Sequence, residues 1–219
     1  MDIRFYDSTN KRGKRELISE DFESQMSAPT AVFAYHLSKN KNFENISQIN
    51  IFCNSEADNY IFENEIIDGF WEVTVPYNPN ELLAIHNEIE KIHIINELIQ
   101  TIFTEVFIYK NWDLLILKKA LVLAEKLDFK NEFLLPGTPK KSPNREFIAI
   151  VQCIEELTVF KMICLIYDRK GRLCNKEILV EEWPSPFVYS RFIGKPIWIS
   201  NKVFSVQSQT SQWSASVEM

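Results

Sequence analysis

The chain has 219 residues, of which 46% are apolar and 25% are charged, and its formal net charge is −6. This composition is typical of a globular protein with its own core, and it excludes a disordered chain. No uncharged apolar run approaches the ~18 residues that a membrane helix needs. Asp2, Arg4 and Asp7 stand where a signal peptide would have its apolar stretch. We therefore expect a soluble, cytoplasmic protein.

The few glycines and cysteines exclude several common sites. The five glycines lie too far apart to form a dinucleotide-binding loop, a P-loop or a nucleophile elbow. The four cysteines show no Cys-x-x-Cys spacing, which excludes a zinc ribbon. Three of the four lie in apolar, strand-like segments, where we expect reduced and mostly buried thiols. The sequence indicates no cofactor.

The first part of the chain is predicted to be rich in β-strands. Three segments are β-rich, namely 1–6, 31–37 and 46–53. A short helix is expected before the second segment, with Ser19 as its N-cap and Phe22 and Met26 on one face. Further along, Asp68-Gly69 separates two apolar runs, 60–67 and 70–75. That pair predicts a two-residue hairpin turn, because both turn residues need a positive φ.

The middle of the chain shows helical periodicity. Pro79, with Asn78 as its cap, begins a stripe of apolar residues at three- and four-residue spacing. We expect one continuous amphipathic helix of about 25–30 residues, roughly 40 Å long. A second helix is predicted from about Leu114 to Asp128.

The last part of the chain has a period of two. Three strands of a meander are predicted at 147–154, 158–167 and 173–180, and Gly171 suits the turn before the third. Two shorter strands are expected at 187–192 and 197–206. The Ser/Gln-rich tail from Gln207 is expected to fray.

These elements predict an α+β fold. Its features are a mainly antiparallel sheet, a central pair of long amphipathic helices and a C-terminal β-meander, with no βαβ alternation. A single domain over 1–206 is the simplest organisation. It comprises an acidic β-rich part (1–76), a helical part (78–131) and the meander (145–206), followed by the polar tail (207–219).

Four possible metal ligands, His86, Glu90, His93 and Glu97, fall on one face of the predicted long helix. A carboxylate-bridged di-iron site needs two Glu-x-x-His motifs, and the chain has one. We interpret these residues as the solvated edge of an amphipathic helix and predict no metal site and no catalytic residues.

The charge is unevenly distributed. Residues 1–76 contain seven basic and thirteen acidic residues, whereas 136–219 contain eleven and eight. No Lys or Arg occurs between Lys41 and Lys91, a stretch that holds ten acidic residues. The acidic balance argues against a nucleic-acid ligand, which usually requires a basic domain.

Six of these acids interleave with aromatic residues in the segment 56–72, which we call the acidic hairpin. Like charges on paired strands repel, so a basic protein partner would relieve the repulsion. The aromatic residues Tyr60, Phe62, Phe70 and Trp71 are candidate anchors for such a partner. Trp71 suits either the core or the interface. The predicted partner-binding residues are Glu56, Asp58, Glu63, Glu65, Asp68, Trp71 and Glu72.

In general character the chain resembles bacterial immunity proteins, which protect a cell from a toxin. The resemblance lies in the Ile/Asn/Lys/Phe-rich make-up, the helix pair that runs into a C-terminal meander, and the closing strand Gly-Lys-Pro-Ile-Trp-Ile-Ser at 194–200. It implies tight binding to one toxin domain, often a nuclease with a basic cleft. It carries over no site residue, because such proteins keep the fold and vary the binding surface.

Two other functions remain open from the sequence. The chain is alternatively an adaptor or structural subunit that docks on a larger assembly through the long helix or a sheet edge. Less favoured is an enzyme that uses His86 or His93 with carboxylates as general acid and base. The oligomeric state is not indicated.

Overall fold

The computed structural model describes residues 1–8, 17–39, 43 and 45–219, and for 17–21 it describes the backbone alone. The chain forms two compact units, Met1–Asn131 and Glu132–Met219, where the sequence favours one domain. The first unit contains 13 basic and 21 acidic residues and the second contains 11 and 9. The negative charge of the chain therefore belongs to the first unit.

The first unit begins with a parallel strand pair. Strand β1 (Asp2–Asp7) is followed by helix α1 (Leu17–Ser38) and strand β2 (Gln48–Cys53). The two strands pair in parallel along their whole length. A parallel pair needs a crossover connection, which α1 supplies. The expectation of no βαβ alternation is therefore wrong for this unit.

Helix α1 replaces two sequence predictions. Residues 31–37 lie inside it rather than in a strand, and Ser19 also lies inside it because the helix begins at Leu17. The side chains that the helix buries recur at helical spacing, across the internal Pro29. Those with the least exposure are Phe22, Met26, Phe33 and Leu37.

The hairpin forms as the sequence predicts. Strand β4 (Phe70–Val75) pairs in parallel with β2, and the short edge strand β3 (Ile61–Phe62) pairs antiparallel with β4. The strand order is β1-β2-β4-β3. Asp68 (φ 51°) and Gly69 (φ 83°) form the two-residue turn, and both have the positive φ that such a turn requires.

The expected long helix is broken into two. Helix α2 (Pro79–Leu83) ends before 84–87, and α3 (Glu88–Tyr109) then begins. Each has an asparagine cap, because the side chain of Asn78 accepts a hydrogen bond at the start of α2 and that of Asn87 does so at the start of α3. The second predicted helix is confirmed as α4 (Leu114–Glu125).

Helix α1 packs on β1 and on α4, and α3 packs on α4. The ring of Phe33 in α1 meets that of Phe103 in α3 edge to face, with centroids 4.9 Å apart. The sheet face beneath these helices carries Ile3, Ile49 and Trp71, each of which is at most 2% exposed. This face is the core of the first unit.

The second unit contains the predicted meander. Strands β5 (Asn131–Leu134), β6 (Lys140–Lys141), β7 (Phe147–Glu155), β8 (Phe160–Asp168) and β9 (Leu173–Glu182) form one sheet. The antiparallel pairing of β7, β8 and β9 confirms the prediction. Gly171 occupies the turn before β9 with a φ of 77°.

Three predictions at the C-terminus are wrong. Residues 187–192 form a short helix, α5 (Pro186–Tyr189), and a 3-10 turn, because Pro186 starts the helix at its first position. The predicted strand 197–206 is two strands, β10 (Lys195–Trp198) and β11 (Val203–Gln207). The tail does not fray: β12 (Ser214–Glu218) pairs with β11 and buries Val217.

The cysteine prediction is confirmed. All four cysteines are free, and three of them are buried while Cys174 is exposed. Burial raises the pKa of Cys153 and that of Cys164 to about 12, so both remain neutral thiols at physiological pH. In the part of the chain that the structure describes, no helix is both long and apolar enough to cross a membrane.

Candidate protein-binding surface

Strand β4 divides the acidic hairpin between core and solvent. Successive side chains of a strand point to opposite faces. Trp71, Val73 and Val75 are buried against the helices, whereas Phe70 and Glu72 are exposed on the outer face. The alternation of side chains along β4 therefore decides which of its residues are exposed to a partner.

All six predicted carboxylates of the acidic hairpin are exposed. They occupy three positions along the segment. Glu56 and Asp58 lie in the turn between β2 and β3, Asp68 lies at the hairpin tip, and the remaining three lie on or beside the paired strands: Glu63, Glu65 and Glu72.

The structure brings two of these carboxylates together. Phe62 pairs with Val73, and the backbone N–H of Glu63 donates to the carbonyl oxygen of Glu72 at 3.1 Å. Glu63 and Glu72 are therefore direct cross-strand neighbours. The Cβ atoms of such neighbours lie about 4.5–5.5 Å apart, and like charges at these positions are destabilising.

No basic side chain among the described residues forms an ion pair with Glu63 or Glu72. In the described part of the chain, none of the six carboxylates forms an ion pair. On the core side of the hairpin, the ammonium of Lys110 lies 4.1 Å from the ring centroid of Trp71. Burial lowers the pKa of Lys110. Within the described residues, the outer face of the hairpin is thus a surface of negative charge without ion-pair partners.

Trp71 belongs to the core, which corrects its assignment as a partner-binding residue. Its side chain is 0% exposed, and its ring lies near those of Phe62, Tyr109 and Trp112, with centroid distances of 6.1–6.3 Å. Tyr109 and Trp112 come from the end of α3 and the loop after it. The sequence did not indicate that this helix end covers the indole.

The exposed apolar residues of the hairpin include one of the four predicted aromatic anchors. That residue is Phe70, with 46% of its surface accessible, while Phe62 stacks on Tyr109 with ring centroids 4.3 Å apart. Ile61 and Ile67 are exposed by 56% and 67%. Once Trp71 is known to face the core, strand alternation places Phe70 outward. No comparable alternation predicts which side chains are exposed in the irregular segment before the turn.

The histidine cluster predicted to be a solvated edge does not assemble into a site. His86 lies in the break between α2 and α3, away from the helical face of the other three residues. His93 Nε2 and Glu97 Oε1 are 3.3 Å apart on the surface of α3. Over residues 1–8, 17–39, 43 and 45–219, no group of three or more His, Cys, Asp or Glu residues is arranged to hold a metal ion.

The second unit contains a buried acid–phenol pair. The Tyr189 hydroxyl donates to Glu155 Oε2 at 3.1 Å, and the Tyr189 ring stacks on Phe160 with centroids 4.0 Å apart. Burial, and then the nearby Glu155 carboxylate, raise the pKa of Tyr189, so the phenol stays protonated. Glu155 is 1% exposed and Tyr189 is 8% exposed, so this pair is buried where β7 ends.

No protein-family model matches the chain, and no curated sequence or solved structure does so either. We therefore infer a function from the surfaces of the molecule.

Proposed function

We propose that this chain is a cytoplasmic binding protein that neutralises a basic protein partner, with the acidic hairpin as its contact surface. The observation that carries the proposal is the cross-strand pair of Glu63 and Glu72, which has no cation beside it among the described residues. The repulsion costs stability in the free protein. A cationic partner removes that cost and is steered to the surface by the same charges.

The partner class we favour is a bacterial toxin, with this chain as the immunity protein that inhibits it. The general resemblance of the chain to immunity proteins supports this choice, as does the acidic first unit. A nuclease toxin has a basic cleft that binds phosphates, and an acidic surface is the complement of such a cleft.

The exposed apolar residues give the proposed contact its anchors. Phe70 is one of the anchors predicted from the sequence, and Ile61 and Ile67 lie with it among the carboxylates. Buried aromatic and aliphatic side chains supply most of the affinity of an interface, and a charged rim supplies encounter rate and specificity. We therefore expect Phe70→Ala to speed dissociation and charge reversal to slow association.

The test is co-purification of the tagged chain from its own cells at low salt, followed by mass spectrometry of what it retains. We expect a stoichiometric basic protein that elutes as salt rises, because exposed charge pairs are screened beyond about 8 Å at physiological ionic strength. The activity of that protein should be suppressed by an equimolar amount of the chain.

Two variants with the same change in charge make the test specific. Glu63→Lys with Glu72→Lys reverses the hairpin pair, and Glu177→Lys with Glu181→Lys makes the same change at exposed positions of β9. We expect the first variant to associate at least about tenfold more slowly and the second to bind as the original does. Recovery of the chain alone, or equal binding by both variants, contradicts the proposal.

A further inference from the structure

Helix α4 presents a second exposed surface of mixed character, which the proposed function does not use. Its buried side faces the core through Leu117, Ala120, Leu121 and Ala124. The opposite side carries residues at intervals of three and four, which we call the lysine stripe. They are Leu115, Lys118, Lys119, Val122 and Lys126, all exposed.

Like the carboxylates of the acidic hairpin, the lysines of the stripe have no ion-pair partner among the described residues. Leu115 is 62% exposed and Val122 is 43% exposed, although both are aliphatic. Within the described residues, none of the three lysines takes part in an ion pair. A helix face that alternates aliphatic and cationic side chains fits an acidic surface that has apolar residues of its own.

The acidic hairpin is such a surface, and it belongs to the same unit as α4. The Tyr109 hydroxyl at the end of α3 donates to Asn64 Oδ1 of the hairpin at 3.4 Å. The Phe62 ring stacks on the same tyrosine. Helix α4 begins at Leu114, after a loop of four residues. The end of α3 therefore contacts the hairpin and leads directly into α4, so that one unit carries both complementary surfaces.

We propose that this chain forms a two-fold symmetric dimer in which the acidic hairpin of each copy lies on the lysine stripe of the other. A two-fold interface uses the same patch on both subunits, so its two halves must complement each other. The acidic hairpin offers its six exposed carboxylates to the three lysines of the stripe, and its Phe70 and Ile67 to Leu115 and Val122. Each dimer contains the contact twice.

A second copy fits this surface better than a lipid headgroup or a different protein, because the same unit of the chain carries both the stripe and the complementary charge. The proposal does not rest on the proposed function. The two are linked at one point: dimerisation covers the acidic hairpin, so a basic partner has to compete with the second copy for it. In the absence of a basic partner, the dimer is then the form of the protein in which the lysines of the second copy neutralise Glu63 and Glu72.

The test is sedimentation velocity of the full chain over a range of concentrations at low salt. We expect a monomer–dimer equilibrium that shifts to monomer as salt is added. Glu63→Lys with Glu72→Lys should weaken the dimer at least about tenfold, and so should Lys118→Glu with Lys119→Glu. An equimolar mixture of these two variants should restore it, because both contacts of the mixed dimer again join opposite charges.

Controls keep the outcome clear. Glu177→Lys with Glu181→Lys, in the second unit, should dimerise as the original chain does, and circular dichroism checks that each variant is folded. Where reversal disturbs folding, the neutral pair Lys118→Gln with Lys119→Gln replaces it. A monomer at every concentration, or a mixture that stays monomeric, overturns the dimer. Capture of a basic partner by the Lys118→Glu and Lys119→Glu variant would then still support the proposed function.

Discussion

The indole Nε1 of Trp71 donates a hydrogen bond to the backbone carbonyl oxygen of Glu63 at 2.8 Å. A fully buried residue of β4 thereby holds the segment that follows β3, where the strand has ended and regular pairing is lost. The exposed carboxylate of Glu63 is carried by backbone that the core positions. A charged surface on rigid backbone loses less entropy when it binds than one on a free loop.

Trp71→Ala should lower the free energy of unfolding by about 3–5 kcal/mol, because it removes a fully buried indole and leaves a cavity. Trp71→Phe should cost less, since it keeps an aromatic ring and loses the hydrogen bond to Glu63. Urea denaturation followed by circular dichroism measures both. Phe70→Ala is the neighbouring control and should cost about 1 kcal/mol or less, because the ring is half exposed. A loss of that small size for Trp71→Ala would contradict its place in the core.

Glu72→Gln should stabilise the free protein by about 0.2–1 kcal/mol at low salt, because it removes one of two like charges on directly opposed strand positions. The gain should shrink as ionic strength rises, since screening weakens the same repulsion. Thermal unfolding at two salt concentrations measures it. Glu181→Gln, at an exposed position of β9, is the comparison. An equal gain in the free energy of unfolding for both variants would contradict this prediction. It would show that the gain comes from the lower net charge and not from the pairing of Glu63 with Glu72.

The elements that sequence periodicity predicted correctly are those stabilised by local signals. Asp68-Gly69, the asparagine caps and the period-two strands of the meander each act within a few residues. The first half of α1 was predicted as a short helix. Its second half was missed because Pro29 and a run of β-prone residues interrupt the helical pattern, and burial against β1 overrides those local preferences. The parallel pairing of β1 with β2 joins residues more than forty positions apart, for which a single sequence offers no signal.

The candidate surface was predictable in its charge but not in its anchors. Exposure of the six carboxylates follows from the cost of burying an unpaired charge. From the sequence, Trp71 could not be assigned to the core or to the interface. Its burial depends on Tyr109 and Trp112, which only the tertiary fold brings close to it. The pairing of Glu63 with Glu72 depends on an irregularity that the sequence does not reveal. The turn pairs Ile67 with Phe70, and that register alone would place Glu65 opposite Glu72, whereas β3 pairs Phe62 with Val73.

The protein should lose stability as the pH falls below about 6.5 partly through His36. Both ring nitrogens of His36 are buried, and the described residues offer neither a hydrogen-bond partner. Burial, and then the charge of Lys39, lower the pKa of His36 from its ordinary value of 6.5. The unfolded chain therefore binds a proton at a higher pH than the folded protein does. The contribution of neutral His36 to the free energy of unfolding is therefore complete above pH 6.5. It is lost as the pH falls through the lowered pKa of His36 in the folded protein.

Unfolding measured across pH 5–8 tests the role of this histidine. His36→Gln should flatten the acid side of the stability profile, because glutamine does not titrate. An unaltered profile for His36→Gln would show that other groups cause the acid loss.

Two glycines of the second unit should differ sharply in their tolerance of alanine. A Cβ atom on Gly194 would overlap the backbone carbonyl of Gln207, and the adjacent Lys195 pairs with that residue where β10 meets β11. Gly194→Ala should cost about 3 kcal/mol, since strand backbone has to move. At Gly171 an added Cβ meets nothing within 4 Å, and the positive φ alone makes Gly171→Ala unfavourable, by about 1 kcal/mol. Differential scanning calorimetry of the two variants compares these costs, and equal losses would contradict the close approach at Gly194.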